Sequence, residues 1–175
     1  MIENAIRAAL RDVHDFPKPG IVFKDITPIL KDPVLCARIN EALFSEARKL
    51  DVDVVAGIES RGFLFGPALA QSLAVPFVPI RKSGKLPYTT VEQSYDLEYG
   101  SATIECHADA FEPGQKVLIH DDLLATGGTV VAASQLVSKL QAVVAGYSFV
   151  IALDFLNGRD KLKPYADEIH ALISF

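Results

Sequence analysis

Twice along this chain a short β-branched apolar run leads through a helical pattern into another apolar run. Residues 52–58 are the first such run, residues 63–73 read as a helix, and residues 75–80 as the next strand. The arrangement returns with the apolar strand Lys116-Val117-Leu118-Ile119-His120, a helix over 128–140 and a strand over 147–153. Strands joined through a helix re-enter the sheet from the same end, so they pair in parallel. The pattern therefore predicts an α/β fold, a mainly parallel twisted sheet flanked by helices on both faces. At 175 residues, 50% of them hydrophobic, the chain suits one compact domain burying about 70% of its unfolded surface.

The remaining segments fill in around this frame. Ile2, Ile6, Ala9, Leu10 and Val13 fall at helical spacing, which predicts an amphipathic helix over residues 2–14, ended by Phe16-Pro17-Lys18-Pro19-Gly20. Residues 21–28 are too proline-flanked for a central strand and read as an ordered loop with a short extended piece. Asp32 stands as an N-cap with Pro33 at the first helical position, and Leu35, Ile39, Leu43, Ala47 and Leu50 mark the apolar face of the helix that follows. Residues 81–100, rich in Lys, Gly, Thr, Tyr and Ser with little periodicity, read as a long mobile loop or hairpin whose length favours a lid. A strand over 102–106 and a turn over 112–115 complete the pass, with no repeat or linker that marks a second domain.

A formal charge of −5 argues against nucleic acid and anionic membrane as partners, so any polyanion must meet a local basic cluster. Cys36 and Cys106 form no CxxC and indicate neither a disulfide framework nor a zinc site. The N-terminus lacks an apolar h-region, and no apolar run reaches the roughly 18 residues of a membrane span, which predicts an intracellular protein.

The stretch from Val117 through His120-Asp121-Asp122-Leu123-Leu124-Ala125-Thr126-Gly127-Gly128-Thr129 carries the chemistry. It reads as a buried strand, two carboxylates, a small-residue loop and a helix start. Ligands of an open α/β sheet bind beyond the carboxyl ends of strands, and a helix N-terminus favours an anion. Two carboxylates beside a phosphate cradle need hydroxyls or a cation to hold, and a phosphorylated ribose supplies the former. No GxxxxGK[ST], no GxGxxG after a strand and no HExxH competes with this reading. His120, ending a buried strand, reads as structural.

This string resembles the phosphoribosyl-pyrophosphate signature of the type I phosphoribosyltransferases. Further segments, Phe16-Pro17-Lys18-Pro19-Gly20-Ile21-Val22-Phe23-Lys24-Asp25-Ile26, Glu59-Ser60-Arg61-Gly62-Phe63, Ile80-Arg81-Lys82-Ser83-Gly84-Lys85-Leu86-Pro87 and Tyr95-Asp96-Leu97-Glu98-Tyr99-Gly100, extend the resemblance to the adenine branch of that family. The resemblance implies the family's fold in a single domain, with residues 1–32 as an N-terminal hood and residues 81–100 as a flexible lid. It implies transfer of the phosphoribosyl group from phosphoribosyl pyrophosphate to adenine, giving AMP and pyrophosphate in purine salvage, with Mg2+ carried by the substrate and no direct protein ligand to it. It also implies a cytoplasmic homodimer.

By the same resemblance, Glu98 and Arg81 are the catalytic residues. Ser60, Arg61, Lys82, Lys85, Asp121, Asp122, Ala125, Thr126, Gly127, Gly128 and Thr129 bind phosphoribosyl pyrophosphate. Val22, Phe23, Lys24 and Leu153 hold adenine, and Tyr99 helps close the lid. Lys24 departs from the arginine common at that place, and lysine lacks the planar fork. Two alternatives remain open to the sequence: a phosphoribosyltransferase for another purine base, and a non-catalytic nucleotide-sensing regulator on the same fold.

Overall fold

A computed structural model describes residues 1–97 and 100–175. They gather into two compact units, Met1–Ala42 and Leu43–Phe175.

The first unit opens with α1 (Ile2–Ala9), which stops short of the expected residue 14. Leu10 turns extended at φ −66 and ψ 145, and Arg11–His14 becomes strand β1, paired antiparallel with β2 (Val22–Asp25). Cross-strand charge explains the switch. Arg11 lies opposite Asp25 with Nε 3.4 Å from Oδ2, and Asp12 lies opposite Lys24 with its carboxylate 2.7 Å from Nζ. Opposite charges directly across a ladder favour pairing over continued helix. Asp32 caps as expected: its carboxylate accepts from the Val34 and Leu35 amides at 3.0 Å, and Pro33 begins α2 (Pro33–Ala47). Leu35, Ile39, Leu43 and Ala47 of α2 are all buried.

The second unit contains a seven-stranded sheet. Its strands are β3 (Val54–Ile58), β4 (Phe77–Lys82), β5 (Thr90–Asp96), β6 (Ser101–His107), β7 (Lys116–Leu124), β8 (Val143–Ala152) and β9 (Ile169–Ser174), in the spatial order β5-β6-β4-β3-β7-β8-β9. From β4 to β9 the pairing is parallel, while β6 and β5 run antiparallel at one edge, so the sheet is mixed and mostly parallel. All five residues of β3 are buried, as a strand between parallel neighbours requires. Helix α3 (Gly66–Leu73) links β3 to β4, and α4 (Gly128–Lys139) links β7 to β8. Val130, Ala133, Leu136 and Val137 form the buried face of α4, and the Ser134 hydroxyl is satisfied by the Val130 carbonyl at 2.9 Å and the Tyr147 hydroxyl at 2.8 Å.

Two expectations need correction here, and an open one resolves. The helix expected over 63–73 begins at Gly66, preceded by a tight 3-10 turn at Arg61–Phe63. Of the two readings left open for residues 81–100, loop or hairpin, the structure favours the hairpin: β5 pairs antiparallel with β6 along its whole length. The strand hides from sequence because β5 is an edge strand of Thr, Glu, Gln and Ser, with only Val91, Gln93 and Tyr95 alternately half-buried after Thr90. A short helix, α5 (Gly158–Leu162), and β9 lie beyond the last element expected. Among the described residues no helix is long and apolar enough to cross a membrane.

The connections position the site. From β3 the chain moves to one side, to β4, whereas β7 docks on the other side of β3 and leads away to β8. The winding direction therefore reverses between β3 and β7, and a crevice opens beyond their carboxyl ends.

Candidate active site

The loop after β7 builds one wall of this crevice. Gly127 adopts φ +80, in the left-handed region where glycine is free of a Cβ clash, and α4 starts at the next residue. The Val131 amide closes the first helical hydrogen bond onto the Gly127 carbonyl at 2.9 Å. The amides of Gly128, Thr129 and Val130 thus have no acceptor within the helix, and together with the helix dipole they make this end of α4 favourable for an anion. Ala125, Thr126, Gly127, Gly128 and Thr129 line a cleft of about 180 Å3 together with Arg61 and Asp121.

The loop is shaped by a residue far along the chain. A Cβ on Gly158, the first residue of α5, would lie 2.2 Å from the Ala125 carbonyl oxygen, and one on Gly127 would lie 3.0 Å from the Gly158 carbonyl. Two backbones approach here as only glycine permits. The turn after β3 is similarly pressed onto β7, since a Cβ on Gly62 would meet the His120 carbonyl at 2.7 Å.

Both acidic residues lie inside β7, which continues to Leu124 rather than ending before them. Asp121 is half-buried and lines the cleft, whereas Asp122 is 0% exposed. The Asp122 carboxylate stands 3.4 Å from Nε of Arg61, and the Asp122 amide donates to Asp121 Oδ1 at 2.8 Å. Burial, then the neighbouring Asp122 charge, pushes the Asp121 carboxyl well above its ordinary range. Burial also raises Asp122, with the Arg61 guanidinium pulling the other way. The pair is therefore under-compensated, and a cation or hydroxyl donors at the cleft would relieve it.

A basic segment leaves the end of β4. Arg81 does not present a free guanidinium: Nε donates to Glu59 Oε2 at 3.1 Å, the terminal nitrogens donate to Glu59 Oε1 at 3.4 Å and to the Lys85 carbonyl at 3.3 Å. The Lys82 amide also donates to Glu59, at 3.0 Å. Burial works to raise the Glu59 carboxyl, but the Lys82 amide and Arg81 outweigh it and leave it below the usual range. Lys82 and Lys85 are exposed and form no ion pair among the described residues. Ser60, just after β3, is exposed. On the hairpin, the Tyr95 hydroxyl accepts from the Thr129 hydroxyl at 3.1 Å, which joins β5 to the anion loop.

Glu98 and Tyr99 lie outside the described residues. Val22, Phe23 and Lys24 form β2 in the first unit, where the Lys24 ammonium is engaged by Asp12 and the Phe23 ring meets Phe16 edge-on with centroids 5.2 Å apart. Leu153 directly follows β8, is half-buried, and donates its amide to the Leu124 carbonyl at 2.8 Å. His120 is fully buried, with Nδ1 3.4 Å from the Ser148 hydroxyl, and burial pushes its imidazole down to about 4. A neutral ring is the state such a place holds. Sequence reasoning did not single out Glu59, Glu105 or Gly158. Glu59 stands inside a quoted motif and Glu105 breaks an apolar run, which are the only signals either gives.

Residues 26–169 match the phosphoribosyl transferase domain family. The chain belongs to the phosphoribosyltransferase family. A relative from Cytophaga hutchinsonii, an adenine phosphoribosyltransferase, is 53% identical over 175 residues, covering 100% of this chain and 97% of its own. Among solved structures, the adenine phosphoribosyltransferase of Thermoanaerobacter pseudethanolicus is 47% identical with a TM-score of 0.95 over 100% of both chains. That of Saccharomyces cerevisiae, complexed with an imino-altritol bisphosphate and adenine, is 41% identical with a TM-score of 0.91 over 98% of each chain. In this phosphoribosyltransferase the anion loop, Asp121 and Arg61 share one cleft at the point where the sheet reverses its winding.

Proposed function

We propose that the chain is an adenine phosphoribosyltransferase, which transfers the 5-phosphoribosyl group from phosphoribosyl pyrophosphate to adenine and releases AMP and pyrophosphate. The observation that carries this reading is the single cleft holding a helix N-terminus, a carboxylate and an arginine, in a chain 53% identical over its whole length to an enzyme of that name.

The 5′-phosphate takes the loop Ala125-Thr126-Gly127-Gly128-Thr129, where amides and the helix dipole meet it without a countercharge to displace. Asp121 accepts from the ribose hydroxyls, and Asp122, behind it, holds Arg61 at the rim. Breaking the anomeric carbon–oxygen bond leaves positive charge on the sugar and negative charge on pyrophosphate. Arg61, Lys82 and Lys85, with Arg81 fixing the base of their segment, oppose the latter charge. Beside the cleft the Asp121–Asp122 pair lacks full compensation, so the site would tolerate magnesium carried on the donor, with Asp121 the carboxylate nearest to it. Carried on the donor, the metal supplies Lewis-acid stabilisation to the leaving group. Nitrogen of the adenine imidazole ring forms the new bond to the anomeric carbon, and Glu98 takes up the proton that the ring loses. The assignment of Val22, Phe23, Lys24 and Leu153 to the base, and of Tyr99 to lid closure, is supported by resemblance. With Lys24 paired to Asp12, backbone groups of β2 are the better readers of the base edge. We place the enzyme in the cytoplasm as a homodimer, as the salvage role and the family imply.

Purified protein with magnesium, phosphoribosyl pyrophosphate and each purine base in turn tests the reading. AMP and pyrophosphate in equal amounts from adenine support it. Nucleotide formed only from another purine would move the chain to a different branch, and none from any base would reject the activity.

A further inference from the structure

We propose that Glu105 is a positioning residue for donor binding, a buried carboxylate that sets the geometry of the Arg81–Leu86 basic segment through its backbone. The inference rests on the reading of that segment as the part of the site that meets pyrophosphate.

Glu105 is 2% exposed and sits on β6 directly opposite Arg81 of β4. Its Oε1 accepts from the Lys85 and Leu86 amides, each at 2.9 Å. Glu59 does the same at the other end of the segment, taking the Lys82 amide and the Arg81 guanidinium. Two carboxylates therefore hold both ends of a short turn whose apex, Ser83-Gly84, is exposed.

The chemistry of the hold distinguishes the two. Glu59 is compensated partly by a cationic side chain, whereas Glu105 forms no ion pair among the described residues. A buried carboxylate without a cation must be satisfied by hydrogen-bond donors, and backbone amides serve here. Burial works to raise its carboxyl, yet the Leu86, Lys85 and Gly84 amides and the Thr90 side chain outweigh burial and keep it ionised. The consequence lies in what Glu105 leaves alone. A buried acid that gripped the Lys85 ammonium would cancel the charge an incoming pyrophosphate needs. By gripping the amide it orders Lys85 while leaving the ammonium for the ligand. The turn is then ordered before the donor arrives, and less freedom is lost on binding. Ser83, donating its hydroxyl to Glu92 of β5, adds a third fastening from the same hairpin.

Glu105→Ala and Glu105→Gln in the full chain test this. Donor and adenine are titrated separately, with amide hydrogen exchange followed at Lys85 and Leu86. Glu105→Ala is expected to raise the donor KM about tenfold, the order expected from loss of charge-assisted hydrogen bonds, and to change the adenine KM by less than about twofold. Glu105→Gln, whose amide oxygen still accepts, is expected to recover part of the loss, with exchange at both amides intermediate. An equal rise in both KM values, or a lower melting temperature with donor KM unchanged, overturns the inference. If Glu105→Ala fails to fold, the Gln variant decides alone: faster exchange with an unchanged donor KM counts against the proposal. The control separates the two readings. If wild type forms no AMP, the proposed function fails, and calorimetric titration with magnesium pyrophosphate still decides the clamp. Weaker binding by the Gln variant then supports it, and equal or absent binding in both proteins rejects it.

Discussion

Arg61 bridges the interior of the sheet and the cleft: its Nε lies 3.4 Å from a carboxylate of Asp122 that is itself 0% exposed. The buried acid is countered by a partly exposed cation. Replacing Asp122 by Asn removes the anchor and the like charge beside Asp121 together. Folded-state burial raises the Asp122 carboxyl, so its stabilising contribution is present below the unfolded value of about 3.9 and is lost as pH rises through the folded one. At neutral pH the amide therefore costs less to bury. We expect Asp122→Asn to melt no lower than wild type while its donor KM rises about tenfold or more. A melting temperature that falls in step with activity would contradict this.

His120 gives the opposite pH dependence. Burial lowers its imidazole to about 4, so the neutral ring contributes stability above the unfolded value of about 6.5, and this is lost as pH falls toward the folded one. The full effect is roughly 3 kcal/mol. His120→Val removes the group, and denaturant unfolding between pH 7 and 4 should show a flatter acid limb than wild type. Comparing slopes rather than absolute stabilities sets aside the change in packing and the contrary trend of the Asp121–Asp122 pair.

Gly158→Ala tests the shaping of the anion loop. Its new Cβ would meet the Ala125 carbonyl at 2.2 Å, a backbone contact with no flexible side chain to yield. We expect a loss of about 1–3 kcal/mol in stability and a rise in donor KM with little change for adenine. Gly114→Ala is the contrasting case: Gly114 has positive φ, 82, and nothing within 4 Å of a Cβ there, so only backbone strain acts and the donor KM should not move. Gly158 is not among the positive-φ glycines, and its penalty is the backbone clash.

Tyr95→Phe deletes the hydroxyl that accepts from Thr129, at a cost of about 1 kcal/mol. If that bond ties the hairpin to the phosphate loop, amide exchange along β5 should quicken in the unliganded variant, and the donor KM should shift by a few-fold. Unchanged exchange would show that the β5–β6 ladder alone holds the hairpin.

The parallel core was legible because its strands are buried on both faces and its helices carry apolar residues at helical spacing, as at Val54–Ile58 and in α4. Asp32 with Pro33 announced α2. What escaped were elements whose pairing depends on distant partners. Arg11–His14 keeps a helical spacing yet pairs as a strand with β2, where Asp25 and Lys24 stand opposite Arg11 and Asp12. The polar edge strand β5 shows its alternation only once β6 is beside it. At the site, the loop and its carboxylates were readable as a string, but their unlike burial was not: adjacent residues of one strand share composition and differ in environment. Gly158 and Glu105 act on segments more than a dozen residues away, and no local pattern marks them.

The placement of β3 also bears on synthesis. One edge of β3 is covered by β4 about twenty residues later, but the other waits for β7, which begins at Lys116. A nascent chain that has not yet delivered β7 holds an entirely apolar strand with one ladder unpaired. The sheet cannot close from its first half alone, and parallel pairing over this separation is slow. The cleft and the structure that supports it therefore arise in the same late event, so that no emerging fragment presents the anion loop ahead of the strand it is built on.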